Sequence, residues 1–214
     1  MHSLQPNKLT IDNLAFERNN QFLFREINFA LQAGDLLQVR GANGSGKSTL
    51  LRMLAGFIEP QGGTILWQDK SICQHRDAYQ QQLHYLGHHN GIKHSLTVYE
   101  NLQLHAALMT NKPEPNHLKT AIKQVDLTHV SHTQAIHLSA GQLRRLGLAR
   151  LLLHPIPLWI LDEPTTALDA DGQALLGHLL KQHLTNGGMA IIATHQTLAI
   201  LHNTKTIYLG EQHV

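Results

Sequence analysis

Residues 41–48 read GANGSGKS, the pattern G-x-x-x-x-G-K-[ST], and no other stretch so narrows the folds open to this chain. The apolar run GDLLQVRG before it reads as a strand ending at Gly41. After it, GKSTLLRMLAG sets Leu50, Leu51 and Leu54 at helical spacing, with Gly56 in the stop position. A glycine-rich turn between strand and helix lets successive backbone N–H groups point at phosphate oxygens, and the helix N-terminus adds partial positive charge. The expected phosphate-binding set is Gly41, Ala42, Asn43, Gly44, Ser45, Gly46, Lys47, Ser48 and Thr49, with Lys47 reaching the outer phosphates and Ser48 offering its hydroxyl to Mg2+.

A phosphate loop of this kind needs an acidic partner, and LWILDEP supplies one. An apolar strand delivers Asp162 and Glu163 at its carboxyl end, where ligands bind in open α/β sheets. Asp162 is the candidate Mg2+ ligand, and Glu163 the candidate base for an attacking water. Further on, LSAGQLRRLGLAR opens a helix at Ser139, a good N-cap, and Ala140 and Gly141 leave the first N–H groups open to an anion.

The remaining segments fit an α/β chain. KLTIDNLAF and FLFREINFAL read as antiparallel strands around the turn ERNNQ, and PQGGTILWQDKSI as a turn and strand. Residues 92–152 are mostly helical: Thr97 and Glu100 form a capping box, KPEPN is a loop, and HLKTAIKQVDL is a helix. Strand PLWIL, helix GQALLGHLLKQHL, strand MAIIAT and strand TKTIYLG follow. We expect one domain over 1–214, with a phosphate-binding core at 1–91 and 153–214 and a helical insertion at 92–152.

Composition removes several other classes. Lys plus Arg (17) nearly balance Asp plus Glu (15) with no basic block, against a nucleic-acid partner. One cysteine, Cys73, excludes an intrachain disulfide framework and reads as a small, partly buried residue. No apolar run reaches the roughly 18 residues of a membrane span, so membrane contact is expected only through a partner. The start, MHSLQPNKLTID, lacks a signal peptide's basic and apolar stretches, which predicts a cytoplasmic location. The seventeen histidines are scattered and read as solvated polar residues.

In order, GANGSGKS, LSAGQ, ILDEP, TALD (Thr166–Asp169) and IIATH (His195) resemble the nucleotide-binding domain of an ABC transporter across essentially the whole chain. LSAGQ departs from the commoner LSGGQ only at Ala140. The resemblance implies a P-loop ATPase core with an N-terminal antiparallel β subdomain and an inserted α-helical subdomain, ATP and Mg2+ as cofactors, and a head-to-tail homodimer on ATP binding. In such a dimer Ser139, Ala140, Gly141 and Gln142 would meet the partner's ATP, Asp169 would join the two sites, and His195 would steady the γ-phosphate and water beside Glu163. For the base-stacking residue, either Arg18 or Phe16 meets the expectation.

ILWQDKSI, YLGHHNGIK and LWILDEPTTALDADG, with the short length, are similar to the ATPase subunit of the haem exporter of bacterial cytochrome c maturation. That implies multi-spanning membrane partners and a place on the cytoplasmic face of the inner membrane. An ABC ATPase for another cargo, such as a lipoprotein or small solute, is the alternative, and a non-transport ABC protein a further one. The same resemblance puts His89 where a switch-loop Gln is usual, His88 being the subfamily's own histidine. Either His89 replaces that amide or it points to solvent.

Overall fold

The computed structural model describes residues 7–109, 114–195 and 203–210. Two sheets form. In the first, β1 (Lys8–Arg18) and β2 (Gln21–Gln32) make an antiparallel hairpin, β4 (Gly62–Trp67) lies along the other side of β1, and β5 (Lys70–Ser71) closes the order β2-β1-β4-β5. The expected five-residue turn ERNNQ shrinks to Asn19 and Asn20, both left-handed at φ 54° and 58°. Two such residues give a turn whose twist matches the strands, so pairing runs on to Arg18 and Gln21. Leu9, Ile11 and Leu14 are buried together because a bulge between Ile11 and Leu14 restores the inward face after an odd step.

The second sheet is wholly parallel, in the order β6-β7-β8-β3-β9, formed by β3 (Leu36–Gly41), β6 (Leu83–Leu86), β7 (Leu158–Asp162), β8 (Met189–Ala193) and β9 (Thr204–Leu209). β7 and β8 are buried at every residue, as strands covered on both faces must be. Alternate residues of β7 divide between two cores. Leu158 and Ile160 join α1 (Lys47–Leu54) and the antiparallel sheet, while Trp159 and Leu161 join α6 (Ala170–Thr185) and the helical segment. Leu50, Leu51 and Leu54 of α1 are fully buried, about 2 kcal/mol of transfer free energy each.

Between β6 and β7 stand α3 (Val98–Met109), α4 (Pro115–Gln124) and α5 (Ala140–Arg150), while the single-turn α2 (Arg76–Gln80) precedes β6. The capping box at α3 is present: Glu100 Oε2 accepts from the Thr97 N–H at 2.8 Å, and Thr97 Oγ1 from the Glu100 N–H at 3.2 Å. The loop expected at KPEPN is shorter than read, because Pro115 and Asn116 already belong to α4. Proline at a first helical position gives up only an N–H that has no intrahelical acceptor. Lys112 and Pro113 lie outside the described residues. Cys73 is exposed, not partly buried. Among the described residues no helix is long and apolar enough to cross a membrane.

Candidate active site

β3, β7 and β8 are neighbours and end together, so the turns leaving them converge at one edge. The turn after β3 is the glycine loop. Its curvature depends on left-handed residues, Gly44 at φ 84° and Gly46 at φ 98°, the latter serving as N-cap of α1. Lys47 is buried, and its Nζ donates to the carbonyls of Gly41 and Ala42 at 2.8 and 3.0 Å, inside the loop it belongs to.

The loop opens on a cleft of about 400 Å3 lined by Asn43, Gly44, Gly46, Lys47, Ser48 and Thr49, with Asp162 and Glu163 from the end of β7 and Arg18 and Leu23 from the antiparallel sheet. Arg18 therefore lines the cleft. Phe16 instead packs on the core, its ring 6.2 Å from that of Phe24. Ala42 and Gly41 border the adjoining space of about 450 Å3, together with Thr166 and His195. Ser45 turns inward, its Oγ buried.

Asp162 is 2% exposed, and its Oδ1 is buried without a hydrogen-bond donor. A carboxylate oxygen so placed is a costly arrangement unless a cation completes it. Glu163 follows in the left-handed region at φ 47°, a conformation that costs a side-chain-bearing residue about 1–2 kcal/mol. The kink turns the chain off the strand, and Glu163 Oε2 then lies 3.0 Å from His195 Nδ1. His195 follows β8 and is largely exposed, whereas the Glu163 side chain is mostly buried.

Ser139 caps α5 in a full capping box: its Oγ accepts from the Gln142 N–H at 3.2 Å, and Gln142 Oε1 accepts from the Ser139 N–H at 2.9 Å. The N–H groups of Ala140 and Gly141 fall in the first turn, where a helix supplies no acceptor of its own. Ala140 lines a small recess of about 140 Å3 with Glu163, Thr166 and His88. Ser139, Gly141 and Gln142 line neither that recess nor the phosphate cleft. Asp169 caps α6, its Oδ1 accepting from Gly172 N–H at 2.8 Å and from Arg145 at 3.3 Å. Those bonds, the Gly172 N–H first, hold its carboxyl below the usual range.

The switch-loop expectation fell on His89, but the histidine lining all three spaces is His88. His89 is exposed and lines none of them, as in the alternative in which it points to solvent. Two residues on from His88, Asn90 is tied to α5: its Oδ1 accepts from Arg144 and its carbonyl from Arg150. Arg144 itself went unnoticed in the sequence: it is buried and donates to the carbonyls of Gly87, Asp162, Glu163 and Pro164. A larger cavity of about 600 Å3 lies at the starting ends of β7 and β8, lined by Trp159 and His183, and contains none of these groups.

A glycine loop on a helix N-terminus, with two carboxyl side chains at the end of one parallel strand and a histidine after the next, is the arrangement of a nucleoside triphosphatase core. The ABC transporter family model matches residues 24–166, and the chain belongs to that family, whose members are ATP-binding ATPases. Within it, the chain is similar to the cytochrome c biogenesis ATP-binding export protein CcmA of Yersinia pestis, at 43% identity over 203 residues covering 94% of this chain and 93% of the other. CcmA of Methylococcus capsulatus is 42% identical over 202 residues, 94% of this chain and 98% of the other. Among solved structures, that of an ABC transporter ATP-binding protein from Pyrococcus furiosus superimposes with TM-score 0.83 at 25% identity, covering 94% of this chain and 97% of that one.

Proposed function

We propose that this chain is the ATP-hydrolysing subunit of a membrane-bound exporter that serves haem delivery in cytochrome c biogenesis. The hydrolytic part is carried by one observation, the Glu163–His195 contact of 3.0 Å beside a cleft lined by the glycine loop and Asp162. The cargo is supported by similarity to relatives named for cytochrome c biogenesis, over nearly the full length of both chains.

Loop N–H groups and Lys47 bind the phosphates and set their orientation. Glu163 accepts the proton of the attacking water, and His195, hydrogen-bonded to its Oε2, holds that carboxylate in direction. The unpartnered, buried Asp162 Oδ1 and the Ser48 hydroxyl on the same cleft are hard oxygen donors that fit Mg2+. When bound there, Mg2+ would neutralise charge developing on the phosphate oxygens. His88 takes the switch position that the sequence pattern gave to His89, and Arg18 is the base-stacking side chain. Ser139, Ala140, Gly141, Gln142 and Asp169 face a second copy of the chain in an ATP-bound homodimer. Multi-spanning partners hold the subunit at the cytoplasmic face of the inner membrane.

Glu163→Gln should bind Mg2+-ATP yet lose hydrolysis by ~10^2-fold or more. Turnover at the wild-type rate would overturn the assignment of Glu163. Deletion of the subunit should abolish c-type cytochromes while b-type ones persist, and normal c-type content would overturn the haem reading.

A further inference from the structure

Arg144 is 3% exposed, yet a guanidinium has five N–H donors that must be satisfied wherever it is buried. Here each has an acceptor, and none of the acceptors is on its own helix. Nε donates to the Pro164 carbonyl at 3.1 Å. One terminal nitrogen donates to the Gly87 carbonyl at 3.1 Å and Asn90 Oδ1 at 2.7 Å. The other donates to the carbonyls of Asp162 at 2.9 Å and Glu163 at 2.7 Å. One side chain of α5 thus spans the turn leaving β6 and the turn leaving β7.

Two of those acceptors have a particular meaning. The carbonyls of Asp162 and Glu163 belong to the peptide groups on either side of the Glu163 Cα, so a donor fixed to both restrains the φ and ψ between them. Glu163 occupies the left-handed region, which it would leave for a more ordinary conformation if nothing opposed that. From this backbone its carboxylate meets His195 at 3.0 Å.

The same face of α5 grips the other turn. One helical turn on, a Cβ at Gly147 would come within 3.2 Å of Asn90 Oδ1, so glycine allows the close approach. One turn further, Arg150 donates to the Asn90 carbonyl. Asn90 is held from both its side chain and its backbone, and the loop it anchors carries His88.

We propose that Arg144 is a positioning residue for hydrolysis: it holds Glu163 in its left-handed conformation and clamps the His88 loop to the signature helix. Its donors are taken up by main-chain carbonyls and Asn90, so it acts through Glu163, and the proposal rests on the reading of Glu163 given above. Its consequence is that the helical segment, seated against the sheet, adds to the hold that the Ala193 carbonyl and the Thr166 N–H already keep on Glu163, so unseating it loosens the hydrolytic geometry. ATP binding, which uses the glycine loop, does not need it.

The test separates rate from affinity in the full-length chain, using Arg144→Lys, Asn90→Ala and the double variant, with ATP Kd, kcat and melting temperature measured for each. Lysine keeps the charge but cannot span both turns. Arg144→Lys should lower kcat by ~10-fold or more while Kd stays within ~2-fold of wild type, the signature of an interaction that matters in the transition state. Asn90→Ala, which removes only the bond to the His88 loop, should lower kcat by ~3-fold or more with Kd unchanged. The double variant should be no slower than Arg144→Lys alone, because both act on one contact. Wild-type kcat in folded Arg144→Lys, a loss confined to Kd or melting temperature, or additive effects would each overturn the proposal. If Arg144→Lys does not fold, Asn90→Ala decides, and wild-type kcat there overturns it. Glu163→Gln assayed alongside distinguishes the two readings: turnover retained there removes the role of Glu163, whereas its loss with Arg144→Lys fully active removes only that of Arg144.

Discussion

His84 lies on β6, 4% exposed, with Nε2 buried and lacking a hydrogen-bond partner. Burial first, then the charge of Arg150 and of His154, lowers its pKa to about 4, although a backbone bond at His154 opposes the change; His183 adds a small lowering contribution. His105 of α3 faces it with ring centroids 6.1 Å apart, itself lowered to about 3 by burial and then Arg150. In the unfolded chain His84 titrates near 6.5. Between 6.5 and about 4 the unfolded state therefore binds a proton that the folded state refuses. The folded state has its full margin above pH 6.5 and loses it as pH falls toward 4. At about 1.4 kcal/mol per pH unit, the loss at pH 5 is ~2 kcal/mol, worth roughly 4–8 °C in Tm for a chain of this size. Urea unfolding of wild type and His84→Leu at pH 8 and pH 5 measures it. Leucine does not titrate, so the variant should lose ~2 kcal/mol less than wild type on acidification, whatever its stability at pH 8. Equal losses in the two proteins would refute the reasoning.

Lys47→Ala should weaken ATP binding by more than ~10-fold in calorimetric titration, since a charged donor at the phosphates is removed. Gly41→Ala puts a Cβ 2.3 Å from the Leu209 carbonyl oxygen, backbone that cannot step aside, and should cost at least ~2 kcal/mol in thermal unfolding. Ser139→Ala removes the acceptor for Gln142 N–H and should cost ~1 kcal/mol, with Ser139→Asn restoring most of it.

What could be read in advance depended on whether a residue acts locally. The glycine loop, the α5 cap at Ser139 and the capping box at Thr97 each complete their geometry within a few residues, so spacing revealed them. Arg144 was invisible because its acceptors are mostly main-chain carbonyls, which every sequence offers, and they lie in turns far along the chain. His88 and His89 differ by one position, and their neighbours in the sequence do not say which of them lines the cleft; in the fold it is His88. His84 likewise read as one more solvated histidine; only its burial on β6, against His105 of α3, makes it costly to charge.

Gly41 ends β3 beside Leu209 of β9, and a Cβ at Gly210 would stand 3.1 Å from that of Ser45. The phosphate loop therefore leans on a strand that the ribosome makes long after the loop itself. The β1–β2 hairpin can form as soon as it emerges, but β3 must wait for β8 on one side and β9 on the other. The loop's surroundings are complete only once residues 209 and 210 are in place, so a chain cut short before them lacks one wall of its own glycine loop.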